Sequence, residues 1–163
     1  MILTKPTLRA ILASGITLAL FTAGAARAED PLVASRLTER GMKFELDADG
    51  DYKVTYNYAK EGRSQLVFVS GRTETVGGLT IREVYSPAAR VAKDGIDGTK
   101  ALELLRQSGR IKLGSWEMRG DVVYLVIKVL DYLSAAQLEE VMDVAAETAD
   151  NMELEISGAR DDL

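Results

Sequence analysis

The chain has 163 residues, 25 of them acidic and 20 basic, with no histidine and no cysteine. Without those two residue types there is no Ser-His-Asp or Cys-His nucleophile system, no zinc site of the usual kind and no redox dithiol. An enzyme built on this chain would rely on Asp, Glu, Lys, Tyr and Ser alone, and a net charge of −5 repels phosphate backbones, which argues against nucleic-acid binding.

The first 28 residues read as a secretory signal peptide. Lys5 and Arg9 form a positive start, and an apolar stretch runs from Ala10 to Ala26. Ala26-Arg27-Ala28 then supplies the small-x-small pattern that signal peptidase cuts after. The rival, an uncleaved anchor, is weakened by a run slightly short of a span of about 20 residues and by Gly15 and Gly24. A lipoprotein is excluded because no cysteine is present to acylate. Three bases (Lys5, Arg9, Arg27) and no acids precede residue 29, so the remainder carries 17 bases against 25 acids, a net −8. The expectation is a periplasmic or secreted protein with no stable membrane insertion after cleavage near Ala28. It has no disulfide, and its stability rests on packing.

Asp30-Pro31 places an N-cap before a proline at the first helical position, and Leu32, Val33 and Leu37 stripe a helix over 31–40 that Gly41 ends. Met42, Phe44 and Leu46 alternate with polar residues as in a half-buried strand, and Asp49-Gly50 turns the chain. Tyr52, Val54, Tyr56 and Tyr58 then share one face of a second strand. Gln65–Ser70 is more continuously apolar through Leu66, Val67, Phe68 and Val69, as in a central strand, with Gly71 marking a bulge or break. Gly77-Gly78 leads into Leu79–Tyr85, the last of four antiparallel strands, and Ser86-Pro87 ends the run. Thr99 caps a second helix whose Leu102 and Leu105 face the core and which Gly109 stops. Ile111, Leu113 and Ser115 line the inner face of a further strand. Arg119-Gly120-Asp121 turns into Val122–Leu130, apolar on both faces and therefore expected mid-sheet with cover on each side. Ser134-Ala135-Ala136-Gln137 is a capping box. It opens a helix with Leu138, Val141, Met142, Ala145, Ala149 and Met152 on one side and Glu139, Glu140, Asp143 and Glu147 mostly on the other.

The order α-β-β-β-β-α-β-β-α predicts an α+β domain over 29–156, helices packed on an antiparallel sheet, with a flexible tail at 157–163. On Leu37 with Gly41-Met42-Lys43-Phe44, the Asp47–Tyr52 turn, Leu102–Leu105 with Gly109, the strand Gly120–Leu130 and the helix Ser134–Met152, the chain resembles the YbjN-domain family. That family is labelled as bacterial sensory transduction regulators and is similar in fold to type III secretion chaperones. The resemblance implies a non-catalytic protein-interaction module, with dimerisation left open, and carries over no catalytic residue. The signal peptide departs from the cytoplasmic members and redirects any such role to periplasmic or surface partners.

Several residues invite a chemical reading. Asp47, Asp49 and Asp51 resemble the start of a calcium loop, but glycine falls fourth and Tyr58 twelfth, where the EF-hand needs glycine sixth and glutamate twelfth. A solvated hairpin turn accounts for them, so no metal, cofactor or catalytic residue is assigned. Tyr52, Tyr56 and Tyr58 form either a binding face or rings covering the sheet beneath a helix. Trp116, the only tryptophan, is either a core plug or an exposed anchor. The acidic side of the last helix either docks a basic partner or is solvated. The function expected is a non-catalytic exported module that binds a protein partner, chaperone-like or regulatory, with a homodimer left open. The alternative is a periplasmic small-molecule carrier whose pocket between sheet and last helix is lined by Tyr52, Tyr56, Val126 and Met142.

Overall fold

The computed structural model describes residues 30–158 and Leu163; the expected signal segment and most of the expected tail lie outside the described residues. The observed order is α1 (Pro31–Glu39), β1 (Glu45–Leu46), β2 (Tyr52–Tyr58), β3 (Arg63–Val76), β4 (Leu79–Arg90), α2 (Gly98–Ser108), β5 (Ser115–Arg119), β6 (Val122–Leu130) and α3 (Ala135–Ser157). All the strands pair antiparallel in one six-stranded sheet ordered β1-β2-β3-β4-β6-β5. The fold is thus α+β, with three helices and the element order that the sequence patterns predict.

The residues explain the elements. Asp30 caps α1 by accepting from the Leu32 amide at 2.9 Å, with Pro31 in the first turn. Ser134 and Gln137 close a reciprocal capping box at the start of α3. The register puts Val67 and Val69, Val84, and Leu125 and Ile127 on one face of the sheet, each essentially buried. α3 packs over β3, β4 and β6 and supplies Leu138, Met142, Ala145 and Ala149 to that layer.

Gly71 does mark a bulge, with the β3–β4 register shifting between Val69 and Thr73. A Cβ there would lie 2.0 Å from the Gly50 carbonyl oxygen, so only glycine lets the 47–51 turn tuck against the bulge. Asp51 locks the contact by accepting from the Gly71 amide at 2.9 Å. Beyond the bulge, β3 and β4 continue as a ribbon closed by Gly77-Gly78, both at positive φ, with Val76 and Leu79 exposed at the tip.

Several expectations need correction. Ser86-Pro87 does not end the strand: β4 runs on to Arg90 through a register shift between Pro87 and Ala89, where the missing proline N–H does no harm. Only Glu45–Leu46 of the 42–46 stretch pairs as strand, and Ile111 and Leu113 precede β5 instead of lining it. α2 is capped by Asp97, not Thr99. Its buried residue is Leu104; Leu102 and Leu105, expected inside, are 54% and 65% exposed. β6 is internal, yet helices cover one of its faces only. On the other face, Val126 is sheltered by its own neighbours, among them the Gly114 turn and the aromatic group of Phe68, Tyr85 and Tyr124.

Arg82, with its side chain 1% exposed, joins α1 to the sheet. Its guanidinium donates to the Asp131 carboxylate at 2.6 Å, to the Asp30 carboxylate and to the Ser70 carbonyl; Arg36 adds a second contact to Asp131. Burial alone would push the Asp131 carboxyl up, but the Arg82 and Arg36 guanidiniums outweigh it and hold the group below its ordinary 3.8. A carboxyl depressed in the fold stabilises above its unfolded pKa, and that stabilisation fades as pH falls through the folded value. Asp131→Asn is therefore expected to lower stability at neutral pH and to flatten the acid limb below about pH 4. Urea unfolding across that range checks both.

Candidate functional site

The tyrosine row of β2 does not act as one surface. Tyr52 is fully buried, its ring edge-on to Phe44 at 5.3 Å and its hydroxyl donating to the Asp30 carbonyl at 2.8 Å. It is a core residue that braces the α1 cap. Towards the other end of the strand Tyr56 and Tyr58 lie beside α3 and are half-buried. The Tyr56 hydroxyl donates to Asp143 at 2.8 Å, and burial followed by that carboxylate pushes the phenol well above its usual range. Tyr58 is raised too, by burial first and then by the charges of Asp150 and Glu147.

These two rings wall a cleft of about 490 Å³ between β2–β3 and α3. Its helix side is Asp143, Ala146, Glu147, Asp150, Asn151 and Leu154. Arg63 sits in it with its side chain 7% exposed, gripped by both carboxylate oxygens of Asp150 at 2.5 and 2.8 Å and by Glu61 at 2.8 Å. The same guanidinium lies 5.8 Å from the Tyr58 ring centroid. Arg63, Gln65, Ser86, Asp150 and Glu153 form a buried polar set beneath the second half of α3. Sequence reasoning missed this set. Asp150 and Glu153 do follow Ala146 and Ala149 at inward helical spacing, and that was the available signal.

Trp116 is a partial plug. Its indole N–H donates to Gln107 at 3.2 Å, and the ring packs against the core while lining a second cleft, of about 580 Å³, on the other flank of α3. Ile111 and Met152 supply apolar wall there, with Arg110, Glu147 and Glu155 at the rim. Glu147 and Asn151 border both clefts, so the two hollows flank one ridge of α3. The structure therefore brings Tyr56 and Tyr58 together, places Trp116 across the helix from them and removes Tyr52.

The carrier pocket expected between sheet and last helix is not formed by the residues named for it. Tyr52 and Met142 are packed solid in the core, Val126 faces the opposite side of the sheet, and only Tyr56 borders a cleft. A third hollow, about 830 Å³, lies on the helix-free face beside Ile81, Tyr85, Arg119 and Lys128. There Arg119 stands 5.2 Å over the Tyr85 ring and pairs with Glu83 and Glu117, while Lys128 pairs with Glu117 at 2.5 Å. Asp47 and Asp51 are committed to backbone: Asp47 accepts from the Asp49 and Asp51 amides, each at 2.9 Å, and Asp51 also accepts from Tyr85. No cluster of three or more metal-ligating side chains occurs among the described residues.

No protein-family model matches the chain, and no curated protein matches it in sequence. Among solved structures, the Yersinia pestis type III secretion chaperone SycH, in complex with a stable fragment of YscM2, is similar at a TM-score of 0.49. The identity is 15%, covering 77% of this chain and 99% of that one. The α+β order and sheet topology stand on the chain's own geometry.

The Arg63–Asp150 pair is buried and doubly bonded, so removing one partner strands a charge. Arg63→Met is expected to cost about 3–5 kcal/mol, measured by urea unfolding. Tyr58→Ala, which empties a half-exposed wall, should cost far less.

Proposed function

We propose that the chain is a non-catalytic, exported protein-interaction module of the YbjN kind. The observation that carries the reading is α2. A helix of 11 residues, it buries Leu104 alone and presents Leu102 and Leu105 to solvent. Beside it, β5 is an edge strand with Met118 67% exposed, and Leu113 in the preceding turn is 47% exposed. An amphipathic helix this short draws most of its stability from packing, so an apolar stripe turned outward is a face that a partner covers.

The mechanism is burial of that stripe within a polar rim, with no bond made or broken. Lys100, Glu103, Arg106 and Arg110 on or next to α2 provide both signs of charge at the rim, which suits a second copy of the chain as well as another protein. Burying the exposed part of each leucine contributes about 1 kcal/mol, so the two leucines anchor the contact without accounting for all of it.

Export rests on the charged start, apolar stretch and small-x-small site of the first 28 residues. Cleavage after Ala28 retains Asp30, so the α1 cap and its bond to Arg82 survive maturation.

Leu102→Asp with Leu105→Asp is expected to abolish dimerisation or partner capture without lowering the melting temperature, because both side chains are already exposed. Light scattering after gel filtration and in-cell crosslinking read this. A wild-type chain that stays monomeric and crosslinks to no protein would overturn the proposal. N-terminal sequencing of the exported protein should begin at Glu29; a retained Met1 would overturn the export reading.

A further inference from the structure

We infer that the two clefts flanking α3 are one docking surface for a basic amphipathic segment of a partner protein, seated across the Glu147–Asn151 ridge. This rests on the reading of the chain as a protein-binding module. It adds a face centred on α3, which meets the end of α2 at Gln107 and Arg110 without using the Leu102–Leu105 stripe, and the chemistry of what that face takes.

The clefts supply the anchoring. Tyr58 and Leu154 line one and Trp116, Ile111 and Met152 the other, so apolar side chains from a crossing segment have a hollow on each side of the ridge. Tyrosine and tryptophan offer large rigid area at low entropic cost, which is why they serve as anchors.

Charge selects the occupant. Five carboxylates border the two clefts (Glu61, Asp143, Glu147, Asp150, Glu155) against two guanidiniums, Arg63 and Arg110. Most are already engaged within the chain: Glu61 and Asp150 with Arg63, Asp143 with the Tyr56 hydroxyl, Glu155 with Lys100 at 2.7 Å. Glu147 is different. It is exposed, central to both clefts, and has no hydrogen-bond or ion-pair partner among the described residues. A second copy of this acidic chain is repelled here, whereas a lysine or arginine gains an unpaired carboxylate. Arg63 shows the same chemistry from within the chain, a guanidinium held between carboxylates and the face of Tyr58.

Trp116 is the only tryptophan in the chain, so its fluorescence reports on the surface directly. The probe is a synthetic helical peptide of lysine and leucine at amphipathic spacing, free of tryptophan and tyrosine. Its counterpart carries glutamate in place of lysine. The expected result is a saturable shift of Trp116 emission with the lysine peptide only, weakening as salt rises. Glu147→Lys should reduce that affinity about tenfold, and Tyr58→Ala should weaken it as well. Glu140→Lys makes the same charge change on α3 away from both clefts and should leave binding unaltered, as should Leu102→Asp with Leu105→Asp. No saturable shift, an equal response to the glutamate peptide, or equal losses in Glu140→Lys and Glu147→Lys would each overturn the inference. Binding lost only in the α2 variant would overturn it too, while leaving the α2 reading standing.

Discussion

One buried guanidinium holds the layers of this protein together. Arg82 sits on the helix-covered side of β4 and reaches the α1 cap at Asp30, the β3 bulge at Ser70 and the end of β6 at Asp131. Desolvating an arginine is costly unless its donors are matched, and here three elements distant in sequence supply the acceptors. Tyr52 reaches the same cap through the Asp30 carbonyl. The path of α1, the bulge at Gly71 and the close of β6 are therefore mutually constrained.

All three helices pack on one side of the sheet. The open side looks after itself through Phe68 stacked on Tyr85, Tyr124 edge-on to it, and a lattice of Arg119, Lys128, Glu83 and Glu117. On the covered side, α3 contributes to the core along its length, from Leu138 to Met152. Its second half meets a polar set, Arg63 with Asp150 and Gln65 with Ser86 and Pro87, and clefts open on both flanks there. The clefts and the bared stripe of α2 are thus local consequences of how three helices share one sheet face.

The elements were largely legible because strand alternation and capping chemistry are local signals. β2, β6, both glycine turns and the α3 capping box follow from residues adjacent in sequence. The errors lie where a local rule met a tertiary exception. Pro87 would end an isolated strand, but a bulge absorbs its missing donor while Gln65 takes its carbonyl. α2 has leucines at 102, 104 and 105, and helical spacing does not say which of them turns inward. For the candidate site, aromatic type and strand phase put Tyr52, Tyr56 and Tyr58 on one face. Cover by Phe44 and the α1 cap separates the buried ring of Tyr52 from the two that meet α3 at the cleft.

By itself, the sequence determined the α+β order, the turns and caps, the acidic balance and a chemistry without histidine or cysteine, since each depends on residue type and short spacing. Only the tertiary structure decided the sheet order with β6 between β4 and β5, the outward phase of α2, and the burial of Arg82, Asp150 and Glu153. It also decided the pairing of Trp116 with Tyr56 and Tyr58 across α3. These depend on where surfaces distant in the chain meet, and the cost of burying charge and apolar area is set at those meetings.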